Sequence, residues 1–375
     1  MNNNLTKKFI FFFTALILVI SFLYFNISSE NPGQIYNKSN VISNKYKLKW
    51  QYKNNDGISP PVIYKQSVIV CSDNGKIMSF QIETGKIDYQ IQIDSIPIDA
   101  QPIILNDIMF AGNIDGDFYS IDLIEKKVNW KIKTKGKINA AANYFKNKKN
   151  DFLIIFGSYD NNVYCIESKS GKIKWKFETE NYINGTPAVT EKNNFAVFGG
   201  CDNYLRALNI NTGSEKYKIN LKSYIPASPV ISGNIVYSAD YSGKLTAVDL
   251  SNGKILWQFL PQKNNSGFML KPVVSENFIL IGNENGELFK INKHTGKLIL
   301  SKKIGRKLNV LFADKNHCFV SYFPGKIEIL NLINLESVWS YETGIEIKES
   351  ADMDLNYIAI SDYDGTLFVF KKDAE

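Results

Sequence analysis

Apolar and polar positions alternate in short runs along most of the chain, and Asn, Asp, Ser or Gly breaks each run after a few residues. NIVYSA, KLTAVDL and KILWQF, between Asn234 and Phe259, are three consecutive examples. No window sustains the 3.6-residue period of an amphipathic helix. The pattern therefore predicts short strands joined by tight turns.

The pattern also repeats. LTAVDLSNGKILW, ending at Trp257, has counterparts ending at Trp130, Trp175 and Leu300. A turn signal recurs at Gly75, Gly116, Asn161, Asn203, Gly243, Gly286, Gly325 and Gly365, at intervals of 39 to 45 residues. Tight hairpins need a left-handed residue, which explains why Gly or Asn fills the slot. Ten residues later a second turn stands at Gly85, Gly171, Gly213, Gly253 and Gly296. Four residues beyond that position come Tyr89, Trp130, Trp175, Tyr217, Trp257, Leu300 and Trp339. A polar slot between the two turns holds Gln81, Asp122, Glu167, Asn209, Asp249, Asn292 and Asn331. Side chains there are expected to accept hydrogen bonds from the backbone of the turn that follows.

A unit of this length accommodates four short strands and their connections. Four antiparallel strands in radial repetition make a propeller blade. The expected fold is all-β, an eight-bladed β-propeller of four-stranded antiparallel blades over residues 46–375, preceded by an N-terminal membrane segment. Inner strands are expected near Pro102, Pro187, Pro229 and Pro272, and the last unit, ending in TLFVFK, lacks an outer strand. YKLKWQY, from Tyr46 to Tyr52, has the outer-strand pattern and is expected to complete that blade and close the ring. Trp50, Trp130, Trp175, Trp257 and Trp339 are then structural docking residues, together with Asp122, Asp249 and Gly253.

Residues 9–25, FIFFFTALILVISFLYF, carry no charge and follow Lys7 and Lys8. This pattern predicts a transmembrane signal anchor or a signal peptide, with residues 1–8 as a short cytoplasmic N-terminus and residues 26–45 as a linker. Neither an A-x-A site nor a lipid-accepting Cys follows, which favours the uncleaved anchor. Either form sends the propeller to the extracytoplasmic, periplasmic side.

The formal charge of +7 is spread among interspersed acids and bases, the KNKKND loop at 146–151 being one local exception, so no nucleic-acid partner is expected. Cys71, Cys165, Cys201 and Cys318 lie too far apart to give a disulfide framework or a metal motif. His294 and His317 accompany no nucleophile motif, and no phosphate-binding loop is present. Catalytic, cofactor-binding and metal residues are therefore all expected to be none.

Ala247, Asp249, Gly253 and Trp257 fit the tryptophan-docking motif A-x-D-x-x-x-G-x-x-x-W. Residues 46–371 thereby resemble the pyrroloquinoline-quinone-type β-propellers, whereas the G-H and W-D signatures of WD40 repeats are absent. An eight-bladed, membrane-attached ring with nothing appended is similar, within that group, to the BamB family of outer-membrane protein assembly factors. The resemblance implies a non-catalytic scaffold, bound to the membrane-protein assembly machinery or to other envelope proteins.

Candidate partner-binding residues lie in the loops from each outer strand to the next inner strand: Ile96, Tyr182, Ile183, Tyr224, Ile225, Phe268 and Met269. They are apolar where bare polar turns would suffice, and they either form one contact patch or tuck over the blades as packing. Two other functions stay open. One is a small-molecule, glycan or peptide binding propeller that uses its axial channel. The other is a quinone-dependent dehydrogenase, which needs acids and amides around calcium; Asp56, Asp99 and Asp352 lie near inner strands, but no vicinal Cys pair is present.

Overall fold

The computed structural model describes residues 46–373, apart from 148–149, 191, 193, 263–265 and 314–316. The expected anchor and linker, and part of the KNKKND loop, lie outside the described residues. No helix among the described residues is long and apolar enough to cross a membrane.

The strands form eight four-stranded sheets, each antiparallel throughout. In the fifth, Val230–Ser232, Ile235–Ala239, Leu245–Asp249 and Ile255–Phe259 follow one another from inside to outside. Seven sheets are consecutive in this way. The eighth joins Ile347–Met353, Tyr357–Asp362 and Thr366–Lys372 to the first strand, Tyr46–Lys53. Tyr46 pairs with Lys372 and Lys53 with Thr366, so the two ends of the propeller share one blade.

Backbone conformation explains the turn spacing. All eight expected hairpin residues have positive φ, from 66° at Asn161 to 146° at Gly325. The second turn is left-handed at Gly85, Gly171, Gly213, Gly253 and Gly296. It is also left-handed at Lys126 and Leu335, so blades two and seven make the same turn without glycine. The polar slot acts as expected: Asp122 accepts from the amides of Ile124 and Glu125, and Asp249 from that of Ser251. The longer Gln81 and Glu167 reach a turn hydroxyl instead, on Thr84 and Ser170.

The core lies between blades rather than within them. Eight clusters of buried apolar side chains each draw on two neighbouring blades, one cluster to an interface. One joins Val197 and Leu205 of blade four to Val236 and Val248 of blade five. Another joins Phe80 of blade one to Val369 of blade eight and closes the ring.

Four of the five outer-strand tryptophans dock over the second turn of the next blade. Their indole N–H groups donate to backbone carbonyls there: Trp50 to Ile82 at 2.7 Å, Trp130 to Ser168 at 3.0 Å, Trp175 to Ile210 at 2.8 Å and Trp257 to Lys293 at 3.2 Å. The rings lie so close over the turn glycines that a Cβ on Gly171 or Gly213 would meet the indole at 2.7 Å. Where the turn has a side chain, the docking residue is not tryptophan: Lys126 extends over the ring of Tyr89, and Leu300 packs in the cluster that buries Leu335. The two positions are thus matched across the interface. Trp339 meets no such turn and donates instead to the carbonyl of Tyr46 at 2.7 Å.

Candidate functional site

The hairpins between second and third strands emerge on the same face as the loops between blades. One hydrogen bond recurs there in all eight blades. The second hairpin residue donates its amide to a loop carbonyl, as Tyr159 does to Lys137, Cys201 to Tyr182 and Tyr241 to Tyr224. The residue after that carbonyl is Ile58, Ile98, Ile138, Ile183, Ile225, Phe268, Leu308 or Ile347, and every one of these is buried.

These residues act as plugs between blades. Ile138, Ile183, Ile225 and Leu308 press on Gly112, Gly157, Gly199 and Gly282 of the preceding blade, where a Cβ would clash at 2.3–2.4 Å. The amides of Ile138, Ile183, Ile225 and Phe268 donate to the preceding blade's hairpin. Those four plugs are thus bonded on both sides, which fixes the loop backbone and directs its neighbour outwards.

The candidate contact residues divide accordingly. Ile183, Ile225 and Phe268 are corrected from contact residues to plugs, because their side chains fill the gap between blades and present no surface. Ile96 is half-buried, its amide held by the Asp94 carboxylate at 2.8 Å. Tyr182, Tyr224 and Met269 face outwards, 36%, 53% and 39% exposed. Alternation along the loop puts Tyr beside Ile in sequence and on opposite sides in space.

The hairpins add aromatic residues not anticipated above: Tyr241, Phe323 and Tyr363 are exposed, and Tyr159 stacks on Tyr182 with ring centroids 4.5 Å apart. Lys137 lies over the other side of that pair, 4.4 Å from the Tyr159 ring. Four of the eight hairpins carry an aromatic residue at the same second position, which is the signal that would have found them. Tyr159, Tyr182, Tyr224 and Tyr241 thus form an aromatic band over blades three to five. A hydrogen bond with Cys201 holds the Tyr182 hydroxyl and raises its pKa.

Charged groups brace this band from beneath. The buried Arg206 guanidinium lies 2.7 Å from Asp202, 3.5 Å from Glu215 and 3.8 Å from Glu180. Asp202 accepts from the Glu180 amide at 3.3 Å, and Lys218 pairs with the Glu180 carboxylate at 2.5 Å. The loop that carries Tyr182 is therefore pinned at its start. A preset aromatic surface loses little side-chain entropy on contact.

At and beside the inner strands, groups of blades eight, one and two bind one another. Ser350 of blade eight donates to the Gln101 side chain of blade two at 2.8 Å, and Gln101 donates to Pro61 of blade one at 2.7 Å. Lys348 lies 3.6 Å from Asp99. Asp352 accepts from the Ile63 amide at 2.8 Å, and burial raises its pKa. Asp56 sits apart and accepts from Asn74. Among the described residues, no group of three or more His, Cys, Asp or Glu is placed to hold a metal ion. Cys71, Cys165 and Cys201 are free thiols, and burial pushes Cys71 and Cys165 up to about 12.

A family model described as outer membrane protein assembly factor BamB matches residues 149–341. No curated protein matches the chain. Among solved structures, BamB from Moraxella catarrhalis is similar with a TM-score of 0.71 and 16% identity, over 87% of this chain and 99% of that one. The computationally designed Ika8 protein is similar with a TM-score of 0.75 and 18% identity, over 85% of this chain and 97% of that one. Identities this low speak for the fold alone. The family model, however, takes in more than half of the sequence, and on that match the protein belongs to the BamB-like family of PQQ-like β-propellers.

Proposed function

We propose that the protein is a non-catalytic scaffold on the extracytoplasmic side of the membrane, where it holds proteins of outer-membrane β-barrel assembly. The observation that carries this reading is the band of Tyr159, Tyr182, Tyr224 and Tyr241. Exposed aromatic residues on a pinned backbone, here Tyr182, Tyr224 and Tyr241 with the half-buried Tyr159 stacked beneath Tyr182, are what protein interfaces use as anchors. Family membership supports the process, and the uncharged segment at residues 9–25 supports the compartment.

The test is affinity capture from detergent-solubilised envelope with the full chain. The expected result is recovery of a barrel-assembly complex by the wild type and its loss with Tyr182→Ala, Tyr224→Ala and Tyr241→Ala combined, at unchanged melting temperature. Undiminished recovery by the triple variant refutes the band as the contact surface. Recovery of only a soluble substrate-processing partner refutes the scaffold.

A further inference from the structure

The eight outer strands are the exposed edges of eight sheets, and each leaves every second amide and carbonyl without a strand neighbour. Proteins commonly guard such edges with lysine, because an incoming apolar strand then has to cover a charge. Seven of the eight here carry charged residues, as blade three does with Lys174, Lys176 and Glu178 on the face opposite Trp175.

Blade five differs. Its outer strand, Ile255–Phe259, carries no charged residue. Leu256, Gln258 and, one residue past the strand, Leu260 stand where blade three has its charged trio, and the two leucines are 49% and 45% exposed. Ile255, at the start of the strand, is exposed as well. Trp257 fixes the other face by docking on blade six, and the strand stays paired to Leu245–Asp249 on either side of a bulge at Leu256, so the edge is held in place.

We propose that the outer edge of blade five accepts an added β-strand from another polypeptide, one that is extended, uncharged and aliphatic on one face. This rests on the scaffold reading and deepens it by naming the kind of segment bound. Charge complementarity selects the occupant: a neutral apolar strand meets no ion along residues 255–260, Lys254 lying just before them, whereas it would have to desolvate an ammonium or carboxylate group within each of the other seven outer strands. The ladder supplies affinity without regard to sequence, and the two leucines choose the aliphatic face.

The probe is a fluorescein-labelled, nine-residue, uncharged peptide in which valine or isoleucine alternates with serine or threonine. Its binding to the full chain in mild detergent is read by anisotropy. Saturable binding is expected, weakened at least ten-fold by Leu256→Lys and by Leu260→Lys. N-methylation of one alternate set of peptide amides is expected to abolish binding and methylation of the other set to spare it, a pattern that micelle partitioning does not produce and that needs no protein variant. Equal affinity for wild type and both lysine variants overturns the proposal. So does a wild-type dimer that Leu256→Lys dissolves, since the occupant is then a second copy. Envelope capture run in parallel separates the two readings: intact capture without peptide binding sinks the edge and leaves the scaffold standing.

Discussion

Gly213→Ala tests the matching of turn and docking residue most directly when it is combined with Trp175→Ala. Gly213 has a φ of 74°, and a Cβ there would lie 2.7 Å from Cγ, 2.8 Å from Cδ2 and 2.9 Å from Cβ of Trp175. Two separate costs follow. The left-handed backbone costs an alanine about 1–2 kcal/mol, and Lys126 and Leu335 show that this conformation alone is tolerated at the same turn. Driving a methyl group into a packed indole adds about 1–3 kcal/mol. Trp175→Ala by itself removes a buried side chain and a 2.8 Å hydrogen bond, at about 3–5 kcal/mol. In the double variant the backbone cost persists while the collision disappears. The pair is therefore expected to be less destabilised than the sum of the singles, by about 1–3 kcal/mol. Urea unfolding followed by far-ultraviolet circular dichroism reads this, provided each variant unfolds in one transition with an unchanged slope. Additivity to within about 0.5 kcal/mol would refute the claim that the glycine is there for the tryptophan.

Neighbouring residues in one loop should behave oppositely. Ile225→Ala empties a plug and is expected to cost about 2–4 kcal/mol, whereas Tyr224→Ala should stay within about 0.5 kcal/mol of wild type by thermal shift; similar losses in both would contradict the plug assignment. Glu83 links blade one to the closing blade: its carboxylate takes Lys371 at 2.8 Å, the Tyr357 hydroxyl, and Lys49 at 3.2 Å, and these hold its pKa down at about 2 instead of 4.5. A depressed carboxyl stabilises fully above its unfolded value and loses that contribution as pH falls towards 2. The melting temperature of Glu83→Gln should accordingly lie below wild type at pH 7 and converge with it between pH 4.5 and 2; parallel profiles would remove Glu83 from the closure.

The period, the turns and the ring closure were legible in the sequence because each rests on a local chemical demand. A left-handed residue selects Gly or Asn, and an indole over a turn fixes an offset of four. Lys126 and Leu335 escaped because the demand there is met at an energetic cost by residues that carry no turn signal, and only counting ten from the hairpin would have found them. The plugs escaped for a different reason. Tyr182-Ile183 and Tyr224-Ile225 are equally apolar on paper, and what decides which side chain turns inwards is a glycine 26 residues upstream, Gly157 or Gly199, in another blade. Blade five's open edge was likewise written in Leu256 and Leu260, but its meaning needs the other seven edges beside it.

Sharing one sheet between Tyr46–Lys53 and Thr366–Lys372 sets an order of events during synthesis. The segment made first waits for the one made last, and Trp339 waits with it, since its carbonyl acceptor belongs to Tyr46. Every nascent intermediate short of Thr366 therefore has an open circle with two raw ends. Quality control has a plain difference to act on, because an unfinished or clipped product cannot pass for a finished one.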